Sequence, residues 1–143
     1  MRILILNGPN LNLLSHRDKH LYGGKDFNEI LNDLQKSFPD FNFSYFQSNV
    51  EGELITKIQQ ASETFDGLII NPGGFAHTSV AIKDALELCK IPKVEVHLSN
   101  LAKREEFRQT LLTASSCDGY ISGFKEVGYF LAVNAIVMLR SQT

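Results

Sequence analysis

Apolar residues recur along the chain in two alternating rhythms. Residues 2–6 are an unbroken aliphatic run, the pattern of a strand buried on both faces of a parallel sheet. A polar loop follows to about Lys25. Asp26 with Glu29 three residues on has capping-box spacing, and Phe27, Ile30, Leu31, Leu34 and Phe38 then fall on one helical stripe, closed by Pro39. Residues 41–46 are aromatic-rich and read as a strand with Phe41, Phe43 and Tyr45 on one side and Phe46 on the other. Leu54, Ile55, Ile58, Ala61 and Phe65 return to helical spacing, predicting a helix over residues 52–64. A third strand at residues 68–70 breaks at Asn71 into Pro72, Gly73 and Gly74. Thr78 or Ser79 then opens a helix carrying Val80, Ala81, Ala85, Leu88 and Cys89. Pro92 separates it from a strand at residues 93–97. The form of residues 99–108 is left open by the pattern, residues 119–122 read as a short strand, and residues 126–140 as a closing helix with Tyr129, Leu131, Ala132, Ala135, Ile136 and Leu139.

Five strands alternating with helices predict one α/β domain over residues 1–143, a parallel sheet with right-handed crossovers and helices on both faces. For 143 residues the flavodoxin-like strand order 2-1-3-4-5 is the natural candidate. In that order the loops after strands 1 and 3 diverge and open a crevice at the carboxyl ends of the strands, where ligands bind. Asn10, Asn12, Arg17 and Tyr22 follow strand 1, Asn71 and His77 follow strand 3, and His97, Ser99 and Arg108 follow strand 4. The turn at residues 71–79 reads equally as an anion site beside a helix N-terminus or as a tight, capped connection.

Composition narrows the chemistry. A hydrophobic content of 43% with 21% charged residues is ordinary for a globular protein, and a net charge of −2 gives no reason to expect nucleic acid or a membrane surface. No apolar stretch reaches the roughly 18 residues of a membrane span, and the opening RILILN lacks the marks of a signal peptide, so a cytoplasmic protein is expected. Cys89 and Cys117 are too few and too isolated for a disulfide framework and read as free thiols. The chain has no GxxxxGK[ST] loop, GxGxxG fingerprint or GxSxG elbow, and no third ligand joins His77 and His97 in a metal set. No cofactor or metal is expected.

The remaining Tyr, Arg, His and Asn suit proton transfer. A tyrosine has an ordinary pKa near 10, so a tyrosinate base at pH 7 needs about 4 kcal/mol of stabilisation, to which an adjacent guanidinium contributes substantially. Arg17 lies five residues before Tyr22 on one loop; the alternative is an exposed arginine and a packed tyrosine. In KVEVHLSN, Val94 and Val96 face one way while Glu95 and His97 face the other. A carboxylate on a strand covered on both faces requires a partner, which makes Glu95 either an orienter of a histidine or a member of a subunit contact.

Several separated blocks carry a resemblance. GPNLN at 8–12, Arg17 with YGG at 22–24, NPGGFAHTS at 71–79, EVHLSN at 95–100 and REEFR at 104–108 occur in the order and spacing of type II 3-dehydroquinase, the 3-dehydroquinate dehydratase of the shikimate pathway, and the resemblance spans essentially the whole chain. It implies a flavodoxin-like fold and a cofactor-free anti elimination of water from 3-dehydroquinate, giving 3-dehydroshikimate on the way to chorismate and the aromatic amino acids. On matching positions it implies Tyr22 as base, Arg17 as stabiliser of the tyrosinate, Asn10 as holder of a water at the enolate oxygen, and His97 as general acid. It implies further that Asn71, His77 and Arg108 bind substrate hydroxyls, that the backbone N–H groups of Leu98 and Ser99 bind its carboxylate, and that Glu95 supports His97. Residues 15–24 match the family's mobile lid.

Asp84 lies about 9 Å along its helix at 1.5 Å per residue, moving away from its own crevice. The resemblance assigns the matching aspartate to a neighbouring subunit's site, which implies a homo-oligomer of trimers, four of them in a dodecamer. Two blocks depart from the family. Arg17 is followed by Asp18 and Lys19 where the family has Glu-Pro, from which a looser lid is expected, and Gly74, Phe75 and Ala76 replace the common Ala, Tyr and Thr. His16 and His20 match no family role. The rival from another class is a non-catalytic module of the same fold that binds an anion or a partner in the crevice.

Overall fold

The computed structural model describes residues 1–143 and shows a five-stranded, all-parallel sheet in the order β2-β1-β3-β4-β5. The strands are β1 (Arg2–Asn7), β2 (Asn42–Gln47), β3 (Gly67–Asn71), β4 (Lys93–His97) and β5 (Gly119–Ser122). The helices are α1 (Lys19–Tyr22), α2 (Phe27–Ser37), α3 (Glu51–Thr64), α4 (Val80–Leu88) and α5 (Val127–Ser141). The expected strand order and helical layers are therefore present. No helix is long and apolar enough to cross a membrane.

Period-2 alternation in the central strands divides the core between the two sheet faces. Ile3, Ile5, Ile69, Val94 and Val96 point to the layer of α2 and α5, where Ile30, Leu34, Tyr129, Ala132 and Ile136 are buried. Leu4, Leu6, Leu68 and Ile70 point to α3 and α4 and meet Leu54, Ile58, Ala61, Ile82 and Leu86. Each fully buried Ile or Leu contributes roughly 1.5–3 kcal/mol, so this two-sided burial is the main favourable term holding the layers together. Along edge strand β2 and the residue before it, Phe41, Phe43 and Tyr45 pack on the first face and Phe46 on the second, as the alternation requires.

Local capping signals were legible. Asp26 accepts a hydrogen bond from the Glu29 N–H and starts α2. Ser79 accepts from the Ile82 N–H and starts α4, settling the choice between Thr78 and Ser79.

Two expectations are corrected, and one segment left open takes form. The loop between β1 and α2 is ordered locally: a 3-10 segment, Leu11–His16, buries Leu11 and Leu14, and Asp18 caps α1. In α4 the buried set is Ile82, Ala85 and Leu86, joined by Cys89 just past the helix end, spaced 3-1-3, whereas Val80, Ala81 and Leu88 are exposed. Leu131 of α5 is likewise exposed. Residues 99–108 form two short 3-10 segments, Leu101–Lys103 and Glu106–Gln109, the first capped by the Asn100 side chain on the Ala102 N–H. Both cysteines are free, with Cys89 buried between α3 and α4.

Candidate active site

The crevice forms where the sheet order reverses. Gly8 follows β1 and Pro72 follows β3, and the two loops touch: the Gly8 N–H donates to the Asn71 carbonyl at 2.7 Å. A Cβ on Gly8 would stand 2.4 Å from the Pro72 carbonyl oxygen, so no other residue permits this approach. Gly73, at φ +62°, and Asn10, at φ 70°, take the left-handed turns on either side.

The cleft above these turns is lined by nine of the ten residues foreseen to bind or react: Asn10, Arg17, Tyr22, Asn71, His77, His97, Leu98, Ser99 and Arg108. Arg104 lines it as well, and no carboxylate does. Three arginines line the pocket, two of them also paired with Glu105 outside its lining, so the lining itself carries only positive charge and is a place for an anion. Asn12 is exposed, its Oδ1 accepting from Gln47. Asp84 is exposed on α4 and lies outside the cleft, as its distance along the helix required.

At one end Tyr22 is held by cations. Arg17 Nη2 donates to its phenol oxygen at 2.6 Å, and Arg104 Nη1 donates to the same oxygen at 3.0 Å. The Arg17 guanidinium also lies over the Tyr22 ring, Cζ 3.8 Å from the centroid. Two charged donors therefore converge on this one oxygen. Arg104 is fixed in turn by donating to Ser99 Oγ at 2.9 Å. Arg104 was not singled out from the sequence. Its motif was visible, but its reach to Tyr22 depends on a 3-10 turn whose form the pattern left open.

At the other end two imidazoles lie 6.1 Å apart, their planes inclined by 27°. His97 Nε2 lies 2.7 Å from Glu95 Oε2, and a carboxylate accepts, so Nε2 carries hydrogen and Nδ1 is left free. Glu95 is wholly buried and its other oxygen accepts from Thr113 Oγ1, so the carboxylate on this covered strand has the partners it required. His77 Nδ1 lies 2.8 Å from the Thr110 carbonyl oxygen, so Nδ1 carries hydrogen and Nε2 is free. Arg108 Nε donates to Glu105.

Beneath the floor runs a polar chain that the sequence pattern concealed. Asn71 Oδ1 accepts from the Gly73 N–H at 3.1 Å, which sets its amide so that Nδ2 donates to Tyr129 Oη at 3.3 Å. The Tyr129 hydroxyl donates onward to Asn7 Oδ1 at 2.8 Å. Tyr129 is fully buried, and burial pushes its phenol well above the usual tyrosine range, leaving it a neutral hydrogen-bonding post. Burial likewise raises the Cys117 thiol, with the Glu95 charge as the next cause, so this cysteine is a poor nucleophile. No group of three His, Cys, Asp or Glu side chains assembles that could hold a metal.

Comparison with known proteins agrees with these observations. A family model described as Dehydroquinase class II matches residues 1–137. A 3-dehydroquinate dehydratase of Clostridium perfringens is 52% identical over 139 residues, covering 95% of this chain and 96% of the relative. One from Thermotoga petrophila is 49% identical, covering 95% and 94%. The fold is similar to the crystal structure of a type II dehydroquinase from Butyrivibrio crossotus, with a TM-score of 0.90 at 41% identity over 95% of this chain and 97% of that one.

Proposed function

Because the chain belongs to the class II dehydroquinase family and is a dehydratase of 3-dehydroquinate in the shikimate pathway, we propose that Tyr22 and His97 divide the proton transfers of this elimination between them. The observation that carries the proposal is the phenol oxygen of Tyr22 held by both Arg17 and Arg104.

As a tyrosinate, Tyr22 takes the proton from C2 of 3-dehydroquinate, and the electron pair of that C–H bond moves into an enolate on the adjacent ketone. Asn10, at the rim of the cleft, holds a water that donates to the enolate oxygen. Collapse of the enolate forms the double bond and breaks the C1–O bond, the departing hydroxyl taking a proton from the imidazolium of His97. One water leaves, and the proton gained by Tyr22 and the one lost by His97 are rebalanced through solvent. Glu95 supports the imidazolium across the 2.7 Å contact. Asn71, His77 and Arg108 bind the substrate hydroxyls, and the N–H groups of Leu98 and Ser99 its carboxylate, on the wall where the arginines make the pocket cationic. Closure of residues 15–24 brings Arg17 and Tyr22 onto the substrate and excludes water. No cofactor takes part in these steps.

The assembly is a cytoplasmic homo-oligomer, trimers arranged as a dodecamer, in which Asp84 completes a neighbour's site. Asp84 shares the outer part of α4 with exposed Val80 and Leu88, an apolar setting suited to a subunit contact.

The deciding experiment is a direct assay of 3-dehydroshikimate formation by the purified protein and by Tyr22→Phe. Wild-type turnover falling by several orders of magnitude in the variant, with dehydroquinate binding largely kept, supports the reading. A folded protein that converts no dehydroquinate, or a variant as active as wild type, overturns it. Borohydride with substrate leaves no covalent adduct on this chain; a trapped adduct would replace the enolate route with a Schiff base.

A further inference from the structure

We infer that residues 110–113 form a strap that decides which nitrogen of each histidine meets the substrate, and that Thr113 is the positioning residue on it for His97. The strap runs beside the turn that carries His77, pinned there by the N–H groups of Leu112 and Thr113, which donate to the Ala76 carbonyl at 2.9 and 3.3 Å. From this one segment two hydrogen-bonded arms reach the cleft. The Thr110 carbonyl accepts from His77 Nδ1, and the Thr113 hydroxyl donates to Glu95, whose second oxygen accepts from His97 Nε2.

The arms have fixed polarity. A carbonyl accepts only, so His77 turns a bare Nε2 to the cleft, fit to accept from a substrate hydroxyl. In the second arm Thr113 and Glu95 are both wholly buried, so neither has water as an alternative partner. The Thr113 hydroxyl binds one carboxylate oxygen and so fixes the plane in which the other is offered to His97. Without that hydroxyl the carboxylate could rotate, and the imidazole would lose the neighbour that selects its tautomer. A valine packs in the same space but cannot donate; a serine donates but lacks the methyl group. The two histidines are thus set in complementary states by a segment that does not itself line the cleft.

The tautomers are read by nitrogen-15 resonances of the imidazoles in labelled protein, at a pH where both are neutral. Wild type is expected to show His97 protonated at Nε2 and bare at Nδ1, and His77 the reverse. Thr113→Val is expected to give averaged His97 resonances with His77 unchanged, and Thr113→Ser to restore the wild-type pattern. Glu95→Gln is the sharper variant. If the Thr113 hydroxyl sets the polarity, the new amide turns its oxygen to Thr113 and its NH2 to His97, which must then carry its hydrogen on Nδ1. His97 still protonated at Nε2 in Glu95→Gln, or unaltered in Thr113→Val, overturns the inference. The kinetic consequence rests on the proposed role of His97: kcat on the order of tenfold lower in Thr113→Val with KM unchanged, recovered in Thr113→Ser. The resonances do not depend on turnover, so tautomers as expected in a protein that dehydrates nothing would refute the function and leave the strap standing.

Discussion

Arg104 and Tyr22, 82 residues apart in the chain, meet with a guanidinium nitrogen 3.0 Å from the phenol oxygen. With Arg17 on the same oxygen, Tyr22 receives charged donors from the segment after β1 and from the one after β4 at once. Arg104→Met should therefore lower kcat/KM at pH 7 by about 10- to 100-fold, the worth of one charge-assisted hydrogen bond. A variant with wild-type kcat/KM would show that the contact with Tyr22 plays no part in turnover.

Tyr129→Phe keeps the ring, which meets Phe27 edge-on at 5.0 Å, but removes the hydroxyl between Asn7 and Asn71. Denaturant unfolding should show a loss of about 1–3 kcal/mol from the Asn7 oxygen and the Asn71 NH2 left without a partner. The same variant should raise KM more than it lowers kcat, because the Asn71 amide keeps only the Gly73 N–H to hold it. An unchanged KM would confine Tyr129 to stability.

Asp84 can be tested by mixing. Tyr22→Phe and Asp84→Ala subunits should each be poorly active alone. Reassembled together they should regain activity, because a subunit with intact Tyr22 can then receive Asp84 from its neighbour. Two inactive parents giving an inactive mixture, with sedimentation confirming mixed oligomers, would put Asp84 in its own subunit's service.

Asp66 ties β1 to α5. Its carboxylate accepts from the Arg2 N–H at 2.7 Å, and Arg140 lies 3.8 Å away. The Arg2 N–H, followed by the charges of Arg140 and Arg2, holds its carboxyl below the usual carboxylate range. A depressed folded pKa means the unfolded chain binds more protons at mildly acidic pH. The stabilisation is therefore present above the unfolded value of about 3.9 and is lost as pH falls through the lower folded value. Asp66→Asn should cost less than about 1 kcal/mol at pH 7, given the exposed setting, and the difference from wild type should vanish in acid. Unfolding curves from pH 7 to pH 2 check it.

The features that a linear pattern carries are those made by neighbours in the chain. The strand runs, the Asp26 cap and the facing of Glu95 with His97 are set within a few residues, and each was legible. The buried face of α4 was misplaced by one position because Val80 and Leu88 look like core residues although Ser79 starts the helix with them turned outward. Arg104, Thr113 and Tyr129 were overlooked for a different reason. Their partners Tyr22, Glu95 and Asn7 lie elsewhere in the chain, and nothing near them in sequence marks the contact. At the departure after Arg17, Asp18 caps α1 by accepting from the His20 N–H.

The contact of Gly8 with Pro72 also governs where this chain can change in length. With no Cβ at one residue and a carbonyl pressed against it from the other, the two loops have no slack, and one inserted residue in either would part β1 from β3 at the crevice floor. Between Leu14 and Phe27, both anchored in the core, the chain is held by Tyr22 against Arg104 and by Lys25 on Asp33. A change of length there would leave the floor in place but carry Arg17 and Tyr22 away from Arg104, so neither wall of the crevice accepts an insertion freely.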